Sequence, residues 1–196
     1  WLEAGDWVVP GARSDLKRCR DILEDGGSVA QLFREEETFE PAVKYHRGLR
    51  AAEQALQLPQ MRDEVHVTVL HGPAGTGKTK IVHQLEGEEL FVPLPPNCEG
   101  AAQWFDGYEG QKAVLFDDYS GEMPWTLLLR LLDRYPLRVP TKGGSVTWAA
   151  TRIYLTSNVP PQAWHPGKLF EALHRRLHRI VYCEHDLWTV ESNLAT

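Results

Sequence analysis

The octapeptide Gly72-Pro73-Ala74-Gly75-Thr76-Gly77-Lys78-Thr79 constrains this chain more than any other feature. It fits G-x-x-x-x-G-K-[ST] at every fixed position, the pattern of a loop that cradles phosphate. Its flanks suit that role. Val65-His66-Val67-Thr68-Val69-Leu70 is rich in β-branched residues and reads as a buried strand. Lys80-Ile81-Val82-His83-Gln84-Leu85 can continue as a helix. The glycines let the backbone curl and aim its N–H groups inward. The helix N-terminus adds a partial positive charge. Lys78 is placed to reach β- and γ-phosphates and Thr79 to hold Mg²⁺, so ATP and Mg²⁺ are the expected cofactors.

A chain of 196 residues suits one domain, or one domain with a small appendage. With 42% hydrophobic and 24% charged residues it reads as globular and soluble, and no apolar run approaches a membrane span. It begins Trp1-Leu2-Glu3-Ala4-Gly5, without methionine or the layout of a signal peptide, and is expected to be part of a longer protein. Cys19, Cys98 and Cys183 are far apart, which suits a reducing compartment and gives no metal-ligand spacing. A net charge of −6 argues mildly against nucleic-acid binding by the whole surface, but leaves room for a locally basic channel.

Residues 1–58 read as helical and residues 59–196 as a second domain. Ser14 is a good N-cap for Asp15–Leu23, whose apolar residues 16, 19, 22 and 23 form one stripe. Gly26-Gly27 ends that helix, and Ser28 caps a short one through Val29, Leu32 and Phe33. A third is expected from near Thr38 to Leu56, with Pro41 in its first turn and Phe39, Val43, Leu49, Ala52 and Leu56 on one face. Beyond Pro59 strands alternate with helices. Strands are expected at Val65–Leu70, Leu90–Leu94, Ala113–Phe116, Arg152–Thr156 and Arg179–Cys183. Helices are expected after the phosphate loop, over Pro124–Arg134 and over Lys168–His178. Loops are expected at Pro93–Gly100 and Pro160–Gly167. The implied architecture is α/β, a P-loop NTPase with a mostly parallel sheet and flanking helices, preceded by a small all-α unit.

Ala113-Val114-Leu115-Phe116-Asp117-Asp118 is an apolar strand ending in two carboxylates, as a Walker B segment requires. Asp117 would orient Mg²⁺, directly or through water, and Asp118 would polarise the attacking water. Arg152–Asn158 is a further strand ending in an amide. Asn158 there can bond both the γ-phosphate and the lytic water, or serve as an ordinary turn residue before Val-Pro-Pro. Leu137–Trp148 reads as a β-hairpin around Lys142-Gly143-Gly144. Lys142 is either a solvated tip residue or a grip on nucleic-acid phosphates. Arg175 and Arg176 are adjacent candidates for an arginine finger reaching a neighbour's γ-phosphate, against a solvated basic helix face. Trp104, Phe105 and Tyr108 invite a base-stacking reading, but their spacing favours core packing. His71 reads as packed or solvated rather than catalytic.

The order of phosphate loop, Asp117-Asp118, Lys-Gly-Gly hairpin and Thr-Ser-Asn strand resembles an AAA+-like superfamily 3 helicase. It is similar in particular to the replication initiators of circoviruses and related circular single-stranded DNA viruses. Val43–Arg50, Trp104–Gly110 and Leu128–Gly144 carry that resemblance, which extends from about Asp15 to Tyr182. It implies a helical collar that drives hexamer formation and an ATPase that translocates on single-stranded DNA, working in the host nucleus. It also implies an upstream rolling-circle endonuclease domain. No His-x-His pair occurs here, so nicking is not expected of this segment. Two other classes remain open: a P-loop small-molecule kinase, and a nucleotide-gated assembly module that does not translocate. The kinase reading leaves Asn158 and the Lys-Gly-Gly hairpin unexplained.

Overall fold

The computed structural model describes residues 14–56, 58–95, 102–184 and 187–191. Cys98 and most of the expected Pro93–Gly100 loop lie outside them. Contacts divide the chain into two compact units, on either side of the Leu58–Pro59 junction.

The first unit contains helices α1 (Ser14–Glu24), α2 (Val29–Leu32) and α3 (Glu36–Leu56). Cys19, Ile22, Leu23, Val29, Leu32, Ala42 and Leu49 form its core. Ser28 caps α2 by accepting the Gln31 N–H at 3.2 Å. The face of α3 differs from the sequence expectation. Leu49 is buried and Ala52 half-buried, but Phe39, Val43 and Leu56 are 52%, 58% and 45% exposed. The buried stripe runs through Thr38, Ala42 and Leu49 instead, with Tyr45 half-buried beside it. Thr38 causes the rotation. Its hydroxyl donates to the Leu32 carbonyl at 2.7 Å, satisfying the end of α2, so this polar side chain turns inward. The helix also starts earlier than expected, which places Pro41 beyond the first turn, and it kinks at Tyr45 (φ −115°, ψ 18°).

The second unit is built on one six-stranded sheet. Its strands are β1 (His66–His71), β2 (Leu90–Phe91), β3 (Ala113–Phe116), β6 (Arg152–Ser157), β7 (Arg179–Glu184) and β8 (Leu187–Glu191). Their order is β2-β3-β6-β1-β7-β8. All neighbours are parallel except β7 and β8, which are antiparallel. Strand β8 was not expected from the sequence, and β2 is shorter than expected. The other elements are α4 (Lys78–Glu86), α5 (Trp125–Leu132), the hairpin β4 (Arg138–Thr141) and β5 (Gly144–Thr147), and α6 (Phe170–His174). A single 3₁₀ turn at Pro161–Ala163 interrupts the expected Pro160–Gly167 loop.

Alternation along the strands assigns two faces, both covered, as near-continuous apolar runs in a parallel sheet require. Val67, Val69, Val114, Phe116, Ile153, Leu155 and Ile180 share a cluster with Leu128 and Leu131 of α5 and Trp148 at the hairpin base. Leu70, Leu115, Val181 and Cys183 pack instead with Val82 of α4. Arg62 fastens this framework from the side. It is 7% exposed and donates to the carbonyls of Ala150 and Leu131, with its guanidinium 6.0 Å from the Trp148 ring centroid. Burial lowers its pKa to about 10, which leaves it charged at neutral pH. The expected helix at Lys168–His178 shortens to five residues, so Arg175 and Arg176 fall just past its end in successive turns.

Candidate nucleotide site

In an open parallel sheet, ligands bind in the crevice beyond the carboxyl ends of the strands. Here β1, β3 and β6 are neighbours, and their registers bring those ends together. His71 lies opposite Ser157, and Phe116 opposite Leu155. The residues that follow, Gly72 after β1 and Asp117-Asp118 after β3, therefore emerge around the end of β6.

The loop from Gly72 to Gly77 turns on positive-φ glycines at 72, 75 and 77. Gly72 admits no other residue. Its φ is +142°, and a Cβ there would lie 2.0 Å from the Cys183 carbonyl oxygen in β7. Its N–H donates to Ser157 O at 3.1 Å, which pins the loop to β6. Pro73, Ala74 and Gly75 are exposed, and Thr76 closes the curl by donating to Pro73 O at 3.1 Å. Gly77 takes φ +82° as the N-cap of α4, so the helix N-terminus opens into the loop.

Lys78 is 5% exposed, although a lysine is rarely so buried unless paired. Its ammonium donates to Gly72 O at 2.9 Å, Pro73 O at 2.7 Å and Asn158 Oδ1 at 3.2 Å. Thr76 Oγ1 lies at 3.5 Å as a fourth, weaker acceptor, so every N–H of the ammonium has a partner. Asn158 turns its other end towards Asp118, with Nδ2 3.5 Å from Oδ1. The partners dictate this amide orientation, because an ammonium can only donate and a carboxylate can only accept. Lys78, Asn158 and Asp118 thus form one polar chain across three strand ends.

A second chain runs beside it. Thr79 Oγ1 donates to Asp117 Oδ1 at 2.6 Å. Thr156, fully buried at the end of β6, donates to the same oxygen at 2.6 Å. The Thr156 hydroxyl also accepts the Asp118 N–H at 2.9 Å, so one group fixes both carboxylate residues. Asp118 is the only non-glycine residue with positive φ (49°) among those described. Aspartate tolerates that conformation better than most residues, and residues so held cluster at functional sites. Sequence reading passed over Thr156 between the apolar strand and Asn158. Its only signal was a hydroxyl at the end of an otherwise apolar run.

The loops that leave β3 and β6 are also joined. The Tyr119 N–H donates to Thr156 O at 2.8 Å, and its hydroxyl lies 2.9 Å from His165 Nε2. Burial pushes the Tyr119 phenol far above its ordinary pKa, so it stays protonated. Trp164 Nε1 donates to Ser157 Oγ at 3.0 Å. Gly121 passes so close that a Cβ would lie 1.9 Å from Trp164 O. His71 is buried, its ring centroid 5.4 Å from that of Tyr182.

Thr79 Oγ1 and the Asp117 carboxylate present hard oxygen donors side by side, the chemistry a Mg²⁺ ion selects. The loop N–H groups and Lys78 present the complement of a polyphosphate. The other three sequence candidates lie elsewhere. Lys142 is at the hairpin tip, its side chain 80% exposed and its ammonium 3.5 Å from Asp106 Oδ2. Arg175 and Arg176 precede β7 and so sit towards the amino-terminal ends of the strands, opposite the phosphate loop. They line an open cleft of about 640 Å³ with Arg62, Arg134, Tyr135 and His178. The two differ sharply. Arg176 is bound within its own unit, 2.6 Å from Asp133 Oδ2 and donating to Ala172 O. Arg175 is exposed and has no ion pair among the described residues.

A family model described as RNA helicase matches residues 68–159, the span from β1 through Asn158. The chain is 36% identical over 178 residues to the replication-associated protein of Canary circovirus, covering 89% of this chain and 58% of that protein. It is 37% identical over 186 residues to that of Porcine circovirus 2, covering 92% and 57%. With that of Porcine circovirus 1 it is 38% identical over 184 residues, covering 90% and 56%. The chain thus spans a little over half the length of these relatives. No described helix is long and apolar enough to cross a membrane.

Proposed function

We propose that this chain, which belongs with the replication-associated proteins of circoviruses and carries a helicase-family domain, is the ATP-hydrolysing motor segment of a viral replication protein. One observation carries the reading. The phosphate loop, the Asp117-Asp118 pair and Asn158 are joined by hydrogen bonds through Lys78, Thr79 and Thr156 at one edge of the sheet.

The roles follow from that geometry. Backbone N–H groups of residues 72–79 and the Lys78 ammonium hold and orient the phosphates of ATP. Thr79 and Asp117 would hold Mg²⁺, which supplies charge neutralisation when bound. Asp118 accepts a proton from the attacking water, and Asn158 positions that water against the phosphoryl group. Arg175 is the arginine finger. Arg176 is already committed to Asp133, and both lie across the sheet from their own phosphate loop. A six-residue strand spans roughly 20 Å, beyond the reach of any side chain, so Arg175 acts on a neighbouring copy. Residues 1–58 are the collar of a hexamer, and residues 59–196 the motor that translocates on single-stranded DNA. An upstream endonuclease domain and work in the host nucleus complete the proposal.

Phosphate release from MgATP, with and without single-stranded DNA, tests it. The reading expects turnover that DNA stimulates. Phosphate transfer to a small acceptor would identify a kinase. Nucleotide-dependent assembly with negligible turnover would identify a gating module. Stimulation by single-stranded RNA alone would replace DNA as the track.

A further inference from the structure

Asn158 carries the water-positioning role in the proposed motor, yet its own side chain is lightly held. It is exposed just past β6, with Oδ1 3.2 Å from the Lys78 ammonium and Nδ2 3.5 Å from Asp118 Oδ1. The second contact is at the outer limit of a hydrogen bond. Firmer restraint comes from the residue before it. Ser157 is fully buried, and its hydroxyl accepts the Val159 N–H at 3.2 Å. A serine oxygen that bonds the N–H two residues on closes a tight turn, and Asn158 is the residue it encloses. The same hydroxyl accepts the Trp164 Nε1–H at 3.0 Å, while the Ser157 carbonyl accepts the Gly72 N–H at 3.1 Å. Ser157 thus ties the start of the phosphate loop, the Asn158 turn and one indole to a single point.

The indole is itself held from the neighbouring strand end. Trp164 is 2% exposed. Tyr119, the residue after Asp118, meets its ring edge to face at 4.9 Å. The Gly121 backbone packs on the Trp164 carbonyl, at a distance that leaves no room for a Cβ. The Tyr119 N–H donates to Thr156 O at 2.8 Å, so the loop that backs the indole is registered against β6 as well. An indole offers one donor and no acceptor. Here that single donor ends on the hydroxyl that shapes the Asn158 turn.

We propose that Trp164 is a positioning residue for ATP hydrolysis, holding Asn158 in register with Asp118 through the Ser157 hydroxyl, a role that rests on the proposed motor reading. The indole acts on no reacting atom. It fixes one acceptor. With its N–H in place, the Ser157 oxygen stays turned to the Val159 N–H, the turn stays closed, and the Asn158 amide stays between Lys78 and Asp118. Without it the hydroxyl is free to rotate. The amide, held on the Asp118 side only by a 3.5 Å contact, then swings away from the attacking water.

Two substitutions break the same bond from opposite ends. Trp164→Phe removes the donor and keeps a ring against Tyr119, and Ser157→Ala removes the acceptor with the loss of a single oxygen. Trp164→Phe should lower kcat about fivefold, the equivalent of ~1 kcal/mol, and Ser157→Ala at least as much. The KM for ATP should stay within about twofold of wild type, because the phosphate loop is untouched. The double variant should match Ser157→Ala, since the bond can be lost only once. Two fluorescent nucleotides give a readout that a merely structural role would not move. Affinity for mant-labelled AMPPNP, a ground-state probe, should stay that of wild type. Affinity for mant-ADP with Mg²⁺ and aluminium fluoride, which mimics the phosphoryl group in transfer, should fall as far as kcat does. Thermal melts correct each value for the folded fraction, and Ser157→Ala carries the test alone if Trp164→Phe does not fold. Additive losses in kcat, or equal losses of affinity for the two nucleotides, would overturn the inference and leave Trp164 a structural residue. Wild-type kcat per folded molecule in the variants would overturn it too, with the motor reading still standing. No turnover by the wild-type chain would overturn both.

Discussion

At the residue scale, Thr156 shows how much one hydroxyl can organise. It is buried, donates to the Asp117 carboxylate and accepts from the backbone of Asp118, so it holds one carboxylate directly and anchors the main chain of the other. Thr156→Val preserves shape and removes the hydroxyl. It leaves the Asp118 N–H without its acceptor, a loss worth about 1–3 kcal/mol. We expect ATP turnover to fall at least tenfold while the KM for ATP changes little, because the phosphate loop is untouched. Thr156→Ser should recover most of the rate. A purely structural role would lower the melting temperature and leave kcat per folded molecule unchanged, so steady-state kinetics with a thermal melt separates the two. Residues 72–79 were legible in the sequence because a phosphate loop is local: its glycines, lysine and threonine must occur at fixed spacing. Thr156 was not legible, because its partners are 38 and 39 residues away in sequence.

At the element scale, the sequence was most readable where one strand or helix determines its own pattern. Ala113–Phe116 and the capped α2 were found as expected because a continuous apolar run and a serine cap are local signals. The face of α3 was misread because Thr38 satisfies a carbonyl of another helix, which no periodicity in α3 reports. The end of α6 was overextended for a similar reason. Arg176 is drawn to Asp133 beyond α5, and the chain leaves the helix in turns around that contact. Adjacent arginines therefore have different surroundings. Arg176→Ala leaves Asp133 without its cation in a largely buried site, and should lower the melting temperature by several degrees. Arg175→Ala, at an exposed position, should leave it within about one degree, since surface substitutions rarely exceed ±0.5 kcal/mol. Thermal melts of the two variants decide it. Equal losses would mean that both arginines are structural and that the finger lies elsewhere.

At the scale of the whole molecule, the parallel sheet separates two groups of residues that the proposed function assigns to one reaction. The phosphate loop, Asp117, Asp118 and Asn158 gather at the carboxyl ends of the strands, while Arg175 stands at the amino-terminal end of β7. A single copy cannot bring these together, so the account requires that each site be completed by a neighbour. The net charge of −6 is compatible with this arrangement, because the proposed contacts to phosphate are few and local. The most direct measurement is phosphate release from mixtures of two inactive variants. Lys78→Ala lacks the grip on phosphate but keeps Arg175, and Arg175→Ala lacks the finger but keeps Lys78. Each alone should turn over ATP at a small fraction of the wild-type rate, since an arginine finger is worth about 10³–10⁵ in kcat. Mixed, they should regain activity at interfaces where an intact loop faces an intact arginine. No recovery at any ratio, in assemblies shown by mass to contain both variants, would contradict a site shared between copies.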